Sequence, residues 1–177
     1  MSADKGTGTK NPLNVIAAVG LALGGLFGML GTLVAARNLQ SAFWAIDGVG
    51  VVVGTALLGI KLFRKGNDVV AGGFLVFTIG ESVMLAGTAT TLAGSVPSFA
   101  AGTALWSAGL LLTSAPREFA GWVRVAGLIG SVLFATTSAR IFWGEQVLPT
   151  SSPLPFFAYP FLVLTFIGWI WTLLKSA

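Results

Sequence analysis

Six long apolar stretches, separated by short polar segments, follow one another from Pro12 to near the C-terminus. About 20 residues of α-helix cross the hydrocarbon core of a bilayer, with a range of roughly 17–25, and every stretch is long enough. The pattern predicts an all-α, polytopic integral membrane protein with six transmembrane helices in one bundle. The predicted elements are a polar cytoplasmic tail at 1–11 and spans at 12–36, 41–62, 68–94, 96–113, 119–143 and 155–174.

A weak internal similarity would divide these spans into three tandem helical hairpins of about 55 residues each. Small-residue triplets open the odd-numbered spans and a phenylalanine lies early in each even-numbered one. The positions are 18–20, 71–73 and 126–128 for the triplets, and Phe43, Phe99 and Phe157 for the phenylalanines. Because glycine and alanine are abundant in this chain, such matches also arise by chance.

The composition agrees with a lipid environment. The chain is 55% hydrophobic and 9% charged, whereas a soluble domain is about 25% charged. The net charge of +4 does not indicate nucleic-acid binding, because the basic residues lie at the ends of spans, as in membrane proteins generally. We therefore expect the lipid bilayer to be a partner and nucleic acid not to be one.

The distribution of basic residues predicts the orientation. The N-terminal tail, the connections after spans 2 and 4 and the C-terminal end carry most of them, whereas Arg37 and Arg140 lie at the other end. The positive-inside rule then places both termini in the cytoplasm, and we expect the membrane to be a prokaryotic inner membrane. The residues at the cytoplasmic end are Lys5, Lys10, Lys61, Arg64, Lys65, Arg117, Arg124 and Lys175.

Glycines recur at a spacing of four in the first two spans. Gly20, Gly24 and Gly28 do so in span 1, and Gly50 and Gly54 in span 2. Small residues at this spacing let two helix backbones approach closely. We favour packing within the chain over a dimer seam, while a homo-oligomer or a partner membrane subunit remains an open alternative.

The chain contains neither cysteine nor histidine. This excludes disulfides, thiolate chemistry, histidine-ligated haem, a Ser-His-Asp triad and a histidine proton relay. Nucleotide-binding fingerprints in a strand–helix context are absent from the sequence as well. We therefore expect no cofactor and no metal site.

Four charged side chains fall inside or near the predicted spans: Asp47, Glu81, Arg124 and Arg140. Glu81 lies near the midpoint of span 3, where a charged group costs roughly 2.5–3.5 kcal/mol on insertion scales. A partner charge, internal water or protonation must offset that cost. Asp47 and Arg140 have similar predicted depths, so we expect that they can pair.

These residues predict a small transporter or channel with a polar route past Glu81, and with Arg124 and Arg140 near its two mouths. Two alternatives stay open. One is a non-catalytic membrane subunit or scaffold whose glycine faces dock a partner. The other is a cofactor-free, lipid-modifying membrane enzyme that uses Asp47 and Glu81 as general acid and base.

Overall fold

The computed structural model describes residues 11–175, and six long α-helices make up most of this part of the chain. This confirms the predicted all-α bundle. A short 3₁₀ turn, Phe156–Ala158, leads into the last helix. The helices are α1 (Pro12–Leu33), α2 (Arg37–Arg64), α3 (Asp68–Gly87), α4 (Val96–Ser114), α5 (Gly121–Phe142) and α6 (Tyr159–Lys175).

All six segments are long and apolar enough to cross a bilayer. Their outward faces carry exposed apolar side chains such as Val19, Phe63 and Val132, which suits contact with lipid. The chain is therefore a multi-pass integral membrane protein. The tail predicted for residues 1–11 lies outside the described residues except for Asn11, whose side-chain oxygen accepts a hydrogen bond from the Leu13 N–H at 3.0 Å and so caps α1.

The third span is shorter than predicted, because α3 ends at Gly87 and not at Gly94. Hydroxyl groups close its last turn: Thr88 donates to the Leu85 carbonyl and Thr90 to that of Gly87. Threonine hydroxyls compete in this way with helical hydrogen bonding. Glu81 consequently lies six residues from the end of α3, about 9 Å at 1.5 Å per residue, and not at mid-span.

The helices form a closed ring. Each packs against the next in the chain, and α6 packs against α1. Short connections make successive helices antiparallel. The connections after α1, α3 and α5 therefore lie at one end, here called the distal end because it is away from both termini. The opposite end, which carries Lys61, Arg64, Arg117 and Lys175, is called the basic end.

Aromatic side chains fill the half of the ring that is nearer the basic end. Phe74, Phe77 and Trp169 are completely buried. The ring centroids of Phe74 and Trp169 are 4.6 Å apart, and Phe77 stacks on Trp106 at 5.3 Å. Trp106 therefore packs inside the bundle. This group, with Phe119 and Phe166, is called the aromatic core.

Glycines bring neighbouring helices into backbone contact. A Cβ atom added at Gly20 would lie 2.5 Å from the Gly50 carbonyl oxygen, and one at Gly54 would lie 3.0 Å from the Ala17 oxygen. The corresponding contact between α3 and α4 is at Gly80 and Gly102, where a Cβ atom added at either glycine would lie 3.0 Å from the other's carbonyl oxygen. The glycine spacing therefore serves packing within the chain, which was the favoured interpretation.

Hydroxyl groups join further helix pairs. Ser107 Oγ donates to the Ser131 carbonyl and Ser131 Oγ donates to that of Ser107, both at 2.8 Å, across α4 and α5. Thr55 and Thr78 share a hydrogen bond of 2.8 Å between α2 and α3. Each hydroxyl is thus satisfied inside the bundle, as an apolar surrounding requires.

We expect Gly20→Ala to lower the stability of the bundle by about 1–3 kcal/mol, the usual cost of overpacking, because its methyl group would separate α1 from α2. Gly72→Ala is the matched control, since its Cβ would meet nothing within 4 Å. Thermal unfolding in detergent measures both variants. Equal unfolding temperatures for Gly20→Ala and the control would contradict the packing described here.

Candidate functional site

A cavity of about 90 Å³ lies between the aromatic core and the distal end. Helices α1, α2, α3, α4 and α6 contribute to its wall, and the connection between α5 and α6 covers part of it through Pro149. The Tyr159 hydroxyl donates to the Pro149 carbonyl at 2.7 Å and holds that connection in place. A water molecule needs about 10–15 Å³ on this scale, so the cavity can hold several waters or one small solute.

Glu81 of α3 extends into this cavity and is only 3% exposed. Its Oε2 has no hydrogen-bond partner among residues 11–175. The neighbouring hydroxyls do not donate to this oxygen, because Thr78 donates to the Phe74 carbonyl and Ser82 donates to the Thr78 carbonyl. The Trp106 indole lies beside the carboxyl, but its N–H is outside hydrogen-bonding geometry. A buried carboxyl oxygen in this state can accept a hydrogen bond from a bound water or ligand, or carry a proton.

Asp47 of α2 lines the same cavity and interacts electrostatically with Glu81. Glycines make room for both carboxyls. A Cβ atom at Gly28 would lie 2.8 Å from Asp47 Oδ2, and one at Gly24 would lie 3.3 Å from Oδ1. A Cβ at Gly48 would likewise lie 3.3 Å from Glu81 Oε1. No lysine or arginine of the described residues forms an ion pair with either acid, and both carboxyls line the same cavity.

The two predicted arginines lie elsewhere. Arg140 is paired with Glu145, and its Nε donates to Glu145 Oε2 at 2.7 Å; the predicted pairing with Asp47 is wrong. Arg124 donates to the carbonyls of Ser114 and Ala115, both at 2.9 Å, and so caps the C-terminus of α4. Neither arginine lines the cavity, which corrects the prediction that they stand at its mouths.

Arg37 occupies the distal rim of the cavity instead. Its guanidinium donates to Gln40 Oε1 at 2.9 Å and to the Thr90 carbonyl at 2.8 Å, and it lies 5.9 Å from the ring centroid of Trp44. Neither Arg37 nor Trp44 was among the predicted site residues. The spacing of Arg37, Trp44 and Asp47 by seven and three residues could have placed them on one face of α2.

Comparisons with protein-family models, with curated proteins and with solved structures find no match to this chain. The chemistry of the cavity is therefore the basis for a function. Two carboxyls without a basic partner can bind a proton or a cation, and the surrounding apolar and aromatic walls favour an organic group over a fully hydrated ion.

A single cysteine tests the access of water to the cavity, because the native chain has none. Ser98 lines the cavity, whereas Ser138 of α5 is buried outside it at the same end. We expect Ser98→Cys to react with a water-soluble maleimide roughly tenfold or more faster than Ser138→Cys, since a thiol must reach water to ionise. Equal rates in detergent, measured by mass spectrometry, would contradict an accessible cavity.

Proposed function

We propose that this protein is a membrane transporter that binds a small cationic solute, or a proton, between Asp47 and Glu81. The observation that carries the proposal is the presence of two carboxyls from adjacent helices in one cavity, with no ion pair between either acid and a lysine or arginine of the described residues. Two such groups cannot both carry a full charge in a low-dielectric site at little cost. A bound cation or an exchanged proton removes that cost, and acids in membrane interiors commonly mark ion and proton pathways.

The aromatic core supports a carrier over an open channel. It fills the ring on the basic side of the carboxyls, while the cavity opens toward the distal end. A solute at Asp47 and Glu81 therefore reaches the opposite end only after the packing around Phe77 and Trp106 changes. Such alternation of access around a fixed central site is how secondary transporters work.

The positive-inside rule suggests which way the cavity opens. The basic end has an excess of lysine and arginine, so it belongs in the cytoplasm, and the distal end then faces outward. In this orientation the carboxyls exchange protons or solute with the external medium in the conformation described here.

The cavity wall favours a primary alkylammonium ion as the solute. Trp44, Trp106 and Phe166 surround the two acids, and aromatic faces attract organic cations. The volume of about 90 Å³ restricts the solute to a few heavy atoms. An alkylammonium ion combines a charge for the carboxyls with a short apolar chain for the wall.

Flux in proteoliposomes tests this function. We expect uptake within the series from methylammonium to butylammonium, coupled to proton movement, and none of the matching neutral alcohols. Glu81→Gln should reduce uptake at least roughly tenfold, because it removes a charge from a site where ions are costly. Glu145→Gln, the same change at an exposed carboxyl, should leave uptake unaffected.

Two results would contradict the carrier. The first is an absence of flux for every cation in the series with correctly folded protein. The second is undiminished flux in Glu81→Gln.

A lipid-modifying enzyme is the second candidate, and Arg37 is the observation that favours it. A guanidinium at the rim of an apolar cavity that contains two acids could bind a lipid phosphate while Asp47 and Glu81 act as general base and acid. Mass spectrometry of a lipid extract incubated with the protein would show a product that is lost in Asp47→Asn. The scaffold alternative lacks comparable support. Gly20, Gly50 and Gly54 already pack between α1 and α2 of the same chain, so these glycines are not exposed for docking a partner.

A further inference from the structure

A second cavity, of about 150 Å³, lies at the basic end in the groove between α1 and α2. Its wall is largely apolar, and two of its residues, Leu13 and Ile60, are close to half exposed on the outward face of the bundle. Leu173 of α6 closes its inner side. Lys61 and Arg64, from the last turn of α2, stand beside this apolar surface.

A buried asparagine organises the groove. Asn14 is 2% exposed, and its Nδ2 donates to the Leu173 carbonyl at 3.2 Å. Its Oδ1 accepts a hydrogen bond from Lys61 Nζ at 3.0 Å. This contact fixes the lysine ammonium at the edge of the groove. Because α1, α2 and α6 all meet at Asn14, the position of the ammonium is set by the fold and not only by side-chain rotamers.

Among the described residues, basic side chains outnumber acidic ones at this edge. Arg64 follows Lys61 by one helical turn and has no ion pair or hydrogen bond within residues 11–175, and Lys65 is its neighbour. The nearby Glu118 accepts a hydrogen bond from Asn67 at 2.8 Å. An anion in the groove would therefore meet at least two cationic side chains.

We infer that this groove binds an anionic phospholipid from the cytoplasmic leaflet. Its phosphate contacts Lys61 and Arg64, and one acyl chain lies along Leu13, Leu57 and Ile60. The basic residues end a helix that crosses the membrane, which places them at headgroup level. Basic pockets between transmembrane helices at the cytoplasmic side are suited to anionic headgroups. A soluble anion would leave the exposed apolar wall of the groove uncovered. A lipid covers both this wall, with its acyl chain, and the basic edge, with its phosphate.

Lipid titration of the full chain in a non-ionic detergent tests this inference. We expect phosphatidylglycerol to raise the unfolding temperature and to stay bound in native mass spectrometry, and phosphatidylcholine with the same acyl chains to do neither. Arg64→Gln should weaken phosphatidylglycerol binding roughly fivefold, the loss expected for one basic residue near an anionic headgroup. Arg64 does not contact Asn14, so the groove itself should remain intact.

Arg117→Gln is the matched control, because Arg117 is an exposed arginine at the same end and does not line the groove. Equal losses in the two variants would show diffuse attraction and overturn the site. Equal binding of both lipids would overturn it as well. Inorganic phosphate that stabilises the protein in the same Arg64-dependent manner would identify a plain anion site and overturn the lipid assignment. None of these outcomes depends on transport.

Discussion

Two carboxyl groups that share one cavity inside a membrane are the constraint on which the distal half of this protein depends. A charged acid in a low-dielectric site is costly, and Glu81 and Asp47 add mutual repulsion when both are ionised. The surrounding helices leave space for them by presenting Gly28 and Gly48 where other residues would place a Cβ atom in the way. The glycines that allow close helix packing elsewhere thus provide room for polar groups here.

The aromatic core and the cavity divide the ring into two halves with different properties. On the basic side, buried rings such as Phe74 and Trp169 exclude water and fix the helix positions. On the distal side, space remains beside the acids, and the connection held by Tyr159 covers it only in part. This asymmetry leaves space beside the carboxyls toward one end alone, which the proposed carrier requires in each of its states.

The six spans were predictable because lipid imposes a length and a composition on any helix that crosses it. The role of the glycines followed from their spacing, since Gly20 and Gly50 lie on helices that are consecutive in the chain. The end of α3 was not predictable from hydropathy, because threonine is tolerated in a membrane helix and only its hydrogen bonds to Leu85 and Gly87 show where the helix stops.

The partners of the charged residues depended on the order of helices in the ring. Similar depth suggested that Asp47 would meet Arg140, yet α2 packs against α1 and α3, whereas α5 packs against α4 and α6. The depth of two residues in the membrane therefore does not identify an ion pair unless the order of the helices around the ring is also known. Proximity of Asp47 and Glu81 was easier to infer, because α2 and α3 are consecutive and each acid lies in the distal half of its helix.

The most direct measurement is infrared difference spectroscopy of the purified protein upon addition of an alkylammonium ion. It reports the carboxyl groups themselves, without reconstitution. If Asp47 and Glu81 bind a cation, we expect a change in the carboxyl or carboxylate bands that disappears in Glu81→Gln and persists in Glu145→Gln. Spectra that show no carboxyl change, or a change that survives in Glu81→Gln, would contradict the role assigned to the pair.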